Sequence, residues 1–366
     1  MKQLFTFIFL LLASAFPEAN NQHTPSIKKE DAASNVFIIT LDGFRWQELF
    51  NGIDTNVIKN KNYCNDAEII EAMYGGNTAQ ESRKKIMPFI WSVIAAKGQV
   101  HGNRAYNNNV NVANLFAISY PGYNEMFTGE TDMMITSNKK IDNKNKNIFE
   151  YLHKKPKYKN KIAVFTSWDV FPFILNEQRS GIEINSGVEN IEEAQNFNMK
   201  NLNIIQKSLL KKKEQTRDDK LTFVAAKEYL IAHKPTIFYI GLGDTDEYAH
   251  SENYDMYLQK ANEADKMIAD LWQWVQKTEG YKNNTTFIIT TDHGRGNNTS
   301  SWMNHGTLIK GSSQTWIAML GKNVQTLGEV KIEKQLYQKQ IAQTIAYFLG
   351  EKFGSEKPVG NTYAVK

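Results

Sequence analysis

The sequence predicts an α/β fold with a mostly parallel central sheet and helices on both faces. Three observations carry this expectation. Five short β-branched runs, residues 36–41, 162–165, 236–242, 286–290 and 315–320, are apolar throughout rather than alternating, as in strands covered on both faces. Helix-period patterns lie between them, so strands and helices alternate along the chain. Acidic and histidine residues follow several runs directly, and sheets of this class bind ligands beyond the C-terminal ends of their strands.

Taken in order, the first run ends at Asp42-Gly43. Residues 51–83, polar and rich in Gly and Asn, read as a loop insertion beside this first strand, and 86–97 as a helix. Ser119 opens a short helical segment that Gly129 ends. A helix over 147–153 precedes the second run, and one over 218–233 precedes the third. The pattern over 254–278 places Leu258, Ala261, Ala264, Ile268, Leu271 and Val275 on one helix face. A helix over 335–349 closes the chain. No repeat or linker interrupts the pattern, so residues 35–366 are expected to form a single domain.

The N-terminus has a charged start at Lys2, an apolar run over 4–12 and the small-residue site Ala13-Ser14-Ala15. This is the pattern of a secretory signal peptide, expected over 1–19 and followed by a disordered segment over 20–34. The apolar run is too short to span a bilayer. The protein is therefore expected to be exported, periplasmic or secreted, with no stable membrane anchor.

Composition narrows the chemistry. The 366 residues are 41% hydrophobic, ample for a large core, and 43 basic against 39 acidic residues give a net charge of +4. That mild excess does not point to nucleic acid. A single cysteine, Cys64, excludes an intrachain disulfide and a thiolate zinc site, and reads as a small buried apolar side chain.

Seven residues in five places make a ligand set for two metal ions: Asp42, Ser119, Asp246 with His250, Asp292 with His293, and His305. A carboxylate that ends a buried strand, such as Asp42, is a helix cap or a ligand. Adjacent Asp292 and His293 can both reach one ion, with Gly294 freeing the turn. Asp246 and His250 are spaced i, i+4, which puts them on one side of a helical turn; Asp244 lacks that spacing. Ser119 stands where a helix N-terminus favours an anion, or it is simply an N-cap. Beside a metal ion its hydroxyl becomes a nucleophile.

This order, Asp, Ser, Asp-x-x-x-His, Asp-His, His, resembles the alkaline phosphatase superfamily. The branch it is most similar to is the type I phosphodiesterase/nucleotide pyrophosphatase group, through Ser119-Tyr120-Pro121 and then Thr128-Gly129. The match runs from about residue 35 to 320. The stretch from His305-Gly306 to Trp316 also resembles exported bacterial sulfatase-like and phosphomutase-like members. The resemblance implies an alkaline-phosphatase-like fold and two Zn²⁺ ions. Asp246, His250 and His305 would hold one; Asp42, Asp292 and His293 would hold the other, with Ser119 bound to it. It implies hydrolysis of a phosphomonoester or phosphodiester through a phosphoseryl intermediate on Ser119, with Asn138 on the phosphate. The substrate would be a small phosphate ester with a nucleotide, sugar or lipid head group. Sulfatases place an Arg where Tyr123 stands here and lack the ligand His305 supplies, so a sulfatase is the second reading. An inactive binding protein on the same fold is the third, and the complete ligand set speaks against it. Lys139, Lys140 and Arg179 are candidates to hold a monoester's extra charge. Trp46, Tyr120, Tyr123 and Trp168 are candidates to stack on a base or sugar, or simply to pack.

Overall fold

Burial of the apolar runs on both faces organises the molecule. The computed structural model describes residues 27–190, 197–209, 216–354, 360, 362 and 363; the expected signal peptide lies outside them. The described strands in the first half are β1 (Asn35–Leu41), β2 (Gln99–His101), β3 (Asn108–Asn111), β4 (Ile162–Thr166) and β5 (Ile184–Ser186). Those in the second half are β6 (Ile237–Leu242), β7 (Thr285–Thr290), β8 (Gln314–Thr315), β9 (Ile317–Gly321), β10 (Gly328–Glu329) and β11 (Lys334–Tyr337). Eight make one sheet in the order β10-β2-β9-β7-β1-β6-β4-β5, and β11-β3-β8 make a second. From β7 to β5 the neighbours are parallel; β9 alone in the main sheet runs against its neighbours, β7 and β2.

β1 lies at the centre and is buried along its length. Phe37, Ile39 and Leu41 join one core, Val36 and Ile38 the other, as the period of two dictates. Each such side chain contributes about 1.5–3 kcal/mol by leaving water. The helix Tyr254–Lys277 covers the first face with the predicted stripe from Leu258 to Val275. The helices Ser119–Thr128 and Ile341–Phe348 cover the second through Met126, Phe127, Ile341 and Ile345. The α/β architecture with a mostly parallel sheet is as expected.

Several elements differ from expectation. Residues 51–83 carry helices Thr55–Ile58, Ala67–Tyr74 and Ala79–Ile86 rather than a loop. The last is closed reciprocally: Thr78 Oγ1 accepts from the Glu81 N–H at 3.1 Å, and Glu81 accepts from the Asn77 N–H at 2.8 Å. The helix expected over 86–97 is broken at Met87 and continues as a wide π-helical turn, Ile90–Ile94. The run 315–320 is divided at Trp316, so Thr315 pairs in the small sheet and Ile317 onward in the main one. Residues 334–337 form β11 beside β3, so the last helix begins at Ile341. The segment 20–34, expected to be disordered, is packed in its described part: Ala33 is buried and its N–H donates to the Phe348 carbonyl at 2.8 Å. Among the described residues, no helix is long and apolar enough to cross a membrane.

Candidate metal and nucleophile site

Parallel pairing of β1 with β7, in register at Thr40 and Thr290, sets Asp42 and Asp292 side by side just past the strand ends. Gly43, at φ 58°, turns the chain there and its N–H donates to Asp292 Oδ1 at 3.0 Å. Tyr123 donates its hydroxyl to Asp42 Oδ2 at 3.1 Å. The other oxygens, Asp42 Oδ1 and Asp292 Oδ2, are buried without a hydrogen-bond partner, and each lies 3.4 Å from His293 Nε2. His293 Nδ1 is 2.9 Å from the Gly294 carbonyl oxygen, which can only accept. The ring proton therefore sits on Nδ1, and Nε2 turns a lone pair toward the carboxylates.

The second group follows β6. The helix Asp244–His250 is pinned to the first strand by Thr245, whose hydroxyl donates to the Asp42 carbonyl at 2.6 Å. One helical turn brings His250 Nε2 to 3.3 Å from Asp246 Oδ2. His305 Nε2 faces His250 Nε2 at 3.0 Å. His305 Nδ1 points at the Ala117 carbonyl at 3.3 Å, which again leaves the lone pair on Nε2. Within each group, Asp42–Asp292–His293 and Asp246–His250–His305, the ligand atoms lie within 4.8 Å of one another. Asp246 Oδ1, ion-paired to Arg295, lies between the groups, 3.9 Å from His293 Nε2 and 3.8 Å from His305 Nε2.

Ser119 is the first residue of its ten-residue helix, and its Oγ stands 3.2 Å from His293 Nε2. Gly122 lets this helix touch the strand-end backbone: a Cβ there would lie 2.5 Å from the Asp292 carbonyl oxygen. The loop before Ser119 is bolted down. The buried Glu125 carboxylate accepts from the backbone N–H groups of Ala113, Asn114 and Lys339. Asn114 in turn accepts from those of Phe116 and Ala117. These bonds hold Ala117 at φ 46°, a left-handed conformation that costs an alanine about 1–2 kcal/mol, and so aim its carbonyl at His305.

The electrostatics state what the pocket lacks. Burial, and next the neighbouring Asp292 carboxylate, push Asp42 up to about 8. Burial pushes Asp292 up to about 7. Burial also lowers His293, and takes His305 well below its ordinary range, so both imidazoles are neutral at neutral pH. Buried carboxylates crowded together are costly unless a cation joins them. Two partnerless carboxylate oxygens, on Asp42 and Asp292, and two imidazole lone pairs facing into the site suit a divalent metal that takes nitrogen and oxygen ligands.

The structure thus brings Asp42, Ser119, Asp246, His250, Asp292, His293 and His305 together. Asn138 also reaches the site: its Oδ1 accepts from the Tyr120 N–H, next to Ser119, at 2.9 Å. Asp244 lies apart, bound to Lys260 at 2.6 Å. Arg179 is occupied by Glu150 and the carbonyls of Asn143, Lys144 and Asn145, and Lys140 by Asp169. Tyr123 is buried with its hydroxyl on Asp42, and Tyr120 is buried with its hydroxyl on two carbonyls, so neither ring is open for stacking on both faces. Trp46 donates to Gln314, and Trp168 packs edge-on to Phe171. A cleft of about 280 Å³ opens beside the helix Ser119–Thr128, lined by Tyr120, Met134, Ile135, Lys139, Ile141 and Lys144 among others.

Sequence reasoning missed Arg295. Its fully buried guanidinium pairs with Asp246 and donates to the carbonyl oxygens of Gly43, at 3.1 Å, and Met303. Its place in the same turn as Asp292 and His293 was the available signal. Glu125 and Asn114 were also missed, because nothing local marks their partners.

A family model, the Metalloenzyme superfamily, matches residues 50–350. No curated protein matches the sequence. Among solved structures, the alkaline phosphatase PafA is similar over 91% of this chain and 98% of its own, at 10% identity and a TM-score of 0.58. The lipoteichoic acid synthase LtaP from Listeria monocytogenes is similar over 90% and 74%, at 12% identity and 0.56. A 2-O GAG sulfatase is similar over 88% and 72%, at 11% and 0.56. The chain therefore belongs to the Metalloenzyme superfamily, with the fold of the alkaline phosphatase-like enzymes.

Proposed function

We propose that the chain hydrolyses small phosphate esters with two Zn²⁺ ions and Ser119 as the nucleophile. The observation that carries this reading is the placement of Ser119 Oγ, at a helix N-terminus and 3.2 Å from His293 Nε2, beside the two buried, partnerless carboxylate oxygens of Asp42 and Asp292. Asp42, Asp292 and His293 would hold one ion; Asp246, His250 and His305 would hold the other. When bound, such ions act as Lewis acids that favour the serine alkoxide and the departing oxygen.

The chain's own residues do the rest. The helix Ser119–Thr128, held by Gly122 and the Glu125–Asn114 bonds, fixes the direction of the hydroxyl. The Oγ–P bond forms as the bond from phosphorus to the leaving oxygen breaks, which gives phosphoserine and an alcohol. Water then takes the phosphoryl group and Ser119 is restored. Asn138, tied to the peptide beside Ser119, is placed to donate its amide to a phosphoryl oxygen. The cleft beside Tyr120 would receive the organic part of the ester. Export rests on the N-terminal pattern; finding the mature N-terminus at Met1 after expression in a host with its secretory system would overturn it.

The test is hydrolysis of p-nitrophenyl phosphate, bis(p-nitrophenyl) phosphate and p-nitrophenyl sulfate, with zinc and after chelation. Zinc-dependent release from a phosphate ester, lost in Ser119→Ala, is expected. Release from the sulfate alone would replace the reading with a sulfatase.

A further inference from the structure

Arg295 changes the charge of the site. The groups that meet there are Asp42, Asp246, Asp292 and this one guanidinium, with His293 and His305 bonding carbonyls through Nδ1 and turning Nε2 inward. The nearby Arg45 and Glu48 pair with each other and cancel. With the three carboxylates deprotonated, as ion binding requires, and one guanidinium, two negative charges remain, which a single divalent ion balances. A second ion would leave the pocket with two uncompensated positive charges. A phosphate monoester or inorganic phosphate, at about −1.5 to −2, restores neutrality.

Geometry assigns the order. Arg295 makes direct contact with Asp246, the carboxylate of the half-exposed group, and reaches Asp42 only through space. It is also locked in place. Its Nε donates to the Gly43 carbonyl, and a Cβ on Gly43 would come within 2.8 Å of Nε and 2.9 Å of Asp246 Oδ1. Gly43 in turn donates to Asp292. One guanidinium therefore offsets the charge of Asp246 by contact and that of Asp42 only at longer range.

We infer that Arg295 makes ion loading unequal: one ion binds tightly at Asp42–Asp292–His293, and the second binds at Asp246–His250–His305 only together with the anionic phosphate group. This rests on the two-ion phosphohydrolase reading and assigns it an order of assembly. By reciprocity, the second ion strengthens phosphate binding by the same factor that phosphate strengthens the ion's. Arg295 is a positioning residue here, acting through Asp246 and through charge.

The experiment counts metal. The chain is stripped, reloaded with Zn²⁺, passed through a desalting column with or without about 1 mM inorganic phosphate, and assayed for zinc by atomic absorption. One ion per chain without phosphate and two with it are expected, with at least a tenfold gain in affinity for the second ion on titration against a chromophoric chelator. His250→Ala should keep the first ion and lose the phosphate-dependent one. Arg295→Gln should hold two ions without phosphate, and Arg295→Lys should keep the wild-type dependence. Two equally held ions without phosphate in an active enzyme would overturn this inference and leave the phosphohydrolase reading standing. A chain that binds no divalent ion and turns over no ester would overturn both. Should Arg295→Gln fail to fold, the wild-type counts with and without phosphate decide alone.

Discussion

Asp42, Asp292 and His293 are fully buried at the ends of two paired strands, whereas Asp246, His250 and His305 stand on a seven-residue helix and a loop, with the His250 side chain 47% exposed. The ligand types are alike, two of one kind and one of the other, but the supports are not. In the first group the strand register fixes both carboxylates before any ion arrives. In the second, side-chain contacts do the work: Thr245 to Asp42, Arg295 to Asp246, and His305 to the strained Ala117 carbonyl. The comparison teaches that a site can join a rigid half, set by the sheet, to an open half that faces solvent.

The sharpest way to break this comparison is to remove the group both halves serve. Ser119→Ala should lower kcat on the order of 10³-fold or more while zinc content stays at the wild-type value. Loss of zinc together with activity would make Ser119 a structural ligand rather than the nucleophile. Next comes the contrast itself. His293→Ala should reduce both zinc binding and thermal stability, because it opens a buried cavity; about 2 kcal/mol or more is expected. His250→Ala should also lose an ion, yet shift unfolding by no more than about 0.5 kcal/mol, as at an exposed position. Equal stability losses in denaturant titrations would erase the distinction.

A pH series sharpens it further. In the metal-free protein, Asp42 is pushed up to about 8 and Asp292 to about 7, chiefly by burial. Both are harder to ionise folded than unfolded, where carboxyls titrate near 4. The stability they contribute is therefore complete below about pH 4 and is lost as pH rises through 7 to 8. The stripped protein should melt lower at about pH 9 than at about pH 6. The extra stability given by zinc should run the other way and grow with pH, since the ligands must be deprotonated. Differential scanning fluorimetry with and without chelator reads both slopes. The smallest effect belongs to the rim: Asn138→Ala should raise KM about tenfold, the worth of one hydrogen bond to a charged group, and leave zinc content unchanged.

What could be read from the sequence follows from where the information sits. The strands that carry Asp42, Asp246 and Asp292 are long and apolar on both faces, so composition alone marks them. The i, i+4 spacing singles out Asp246 over Asp244, and the geometry places Asp246, not Asp244, beside His250. The peripheral strands β2, β5 and β10 of the main sheet, and β3 and β11 of the small one, are short and largely polar, and only their neighbours make them strands. Thr78-x-x-Glu81 did announce a helix inside the supposed loop, but the polar composition around it hid the signal. Arg295, Glu125 and Asn114 act on partners that no local pattern names. Their roles exist only once the sheet has closed.

The place of β1 has a further consequence, for the timing of assembly. Both its neighbours are distant in sequence, β6 at residues 237–242 and β7 at 285–290. On a ribosome, β1 is complete about 250 residues before its second edge has a partner. At roughly 5–20 residues per second, that is a wait of about 12–50 s with an apolar strand unpaired. Such a chain is a late folder whose first-made strand is among the last to be satisfied, and it calls for something to shield that strand in the meantime.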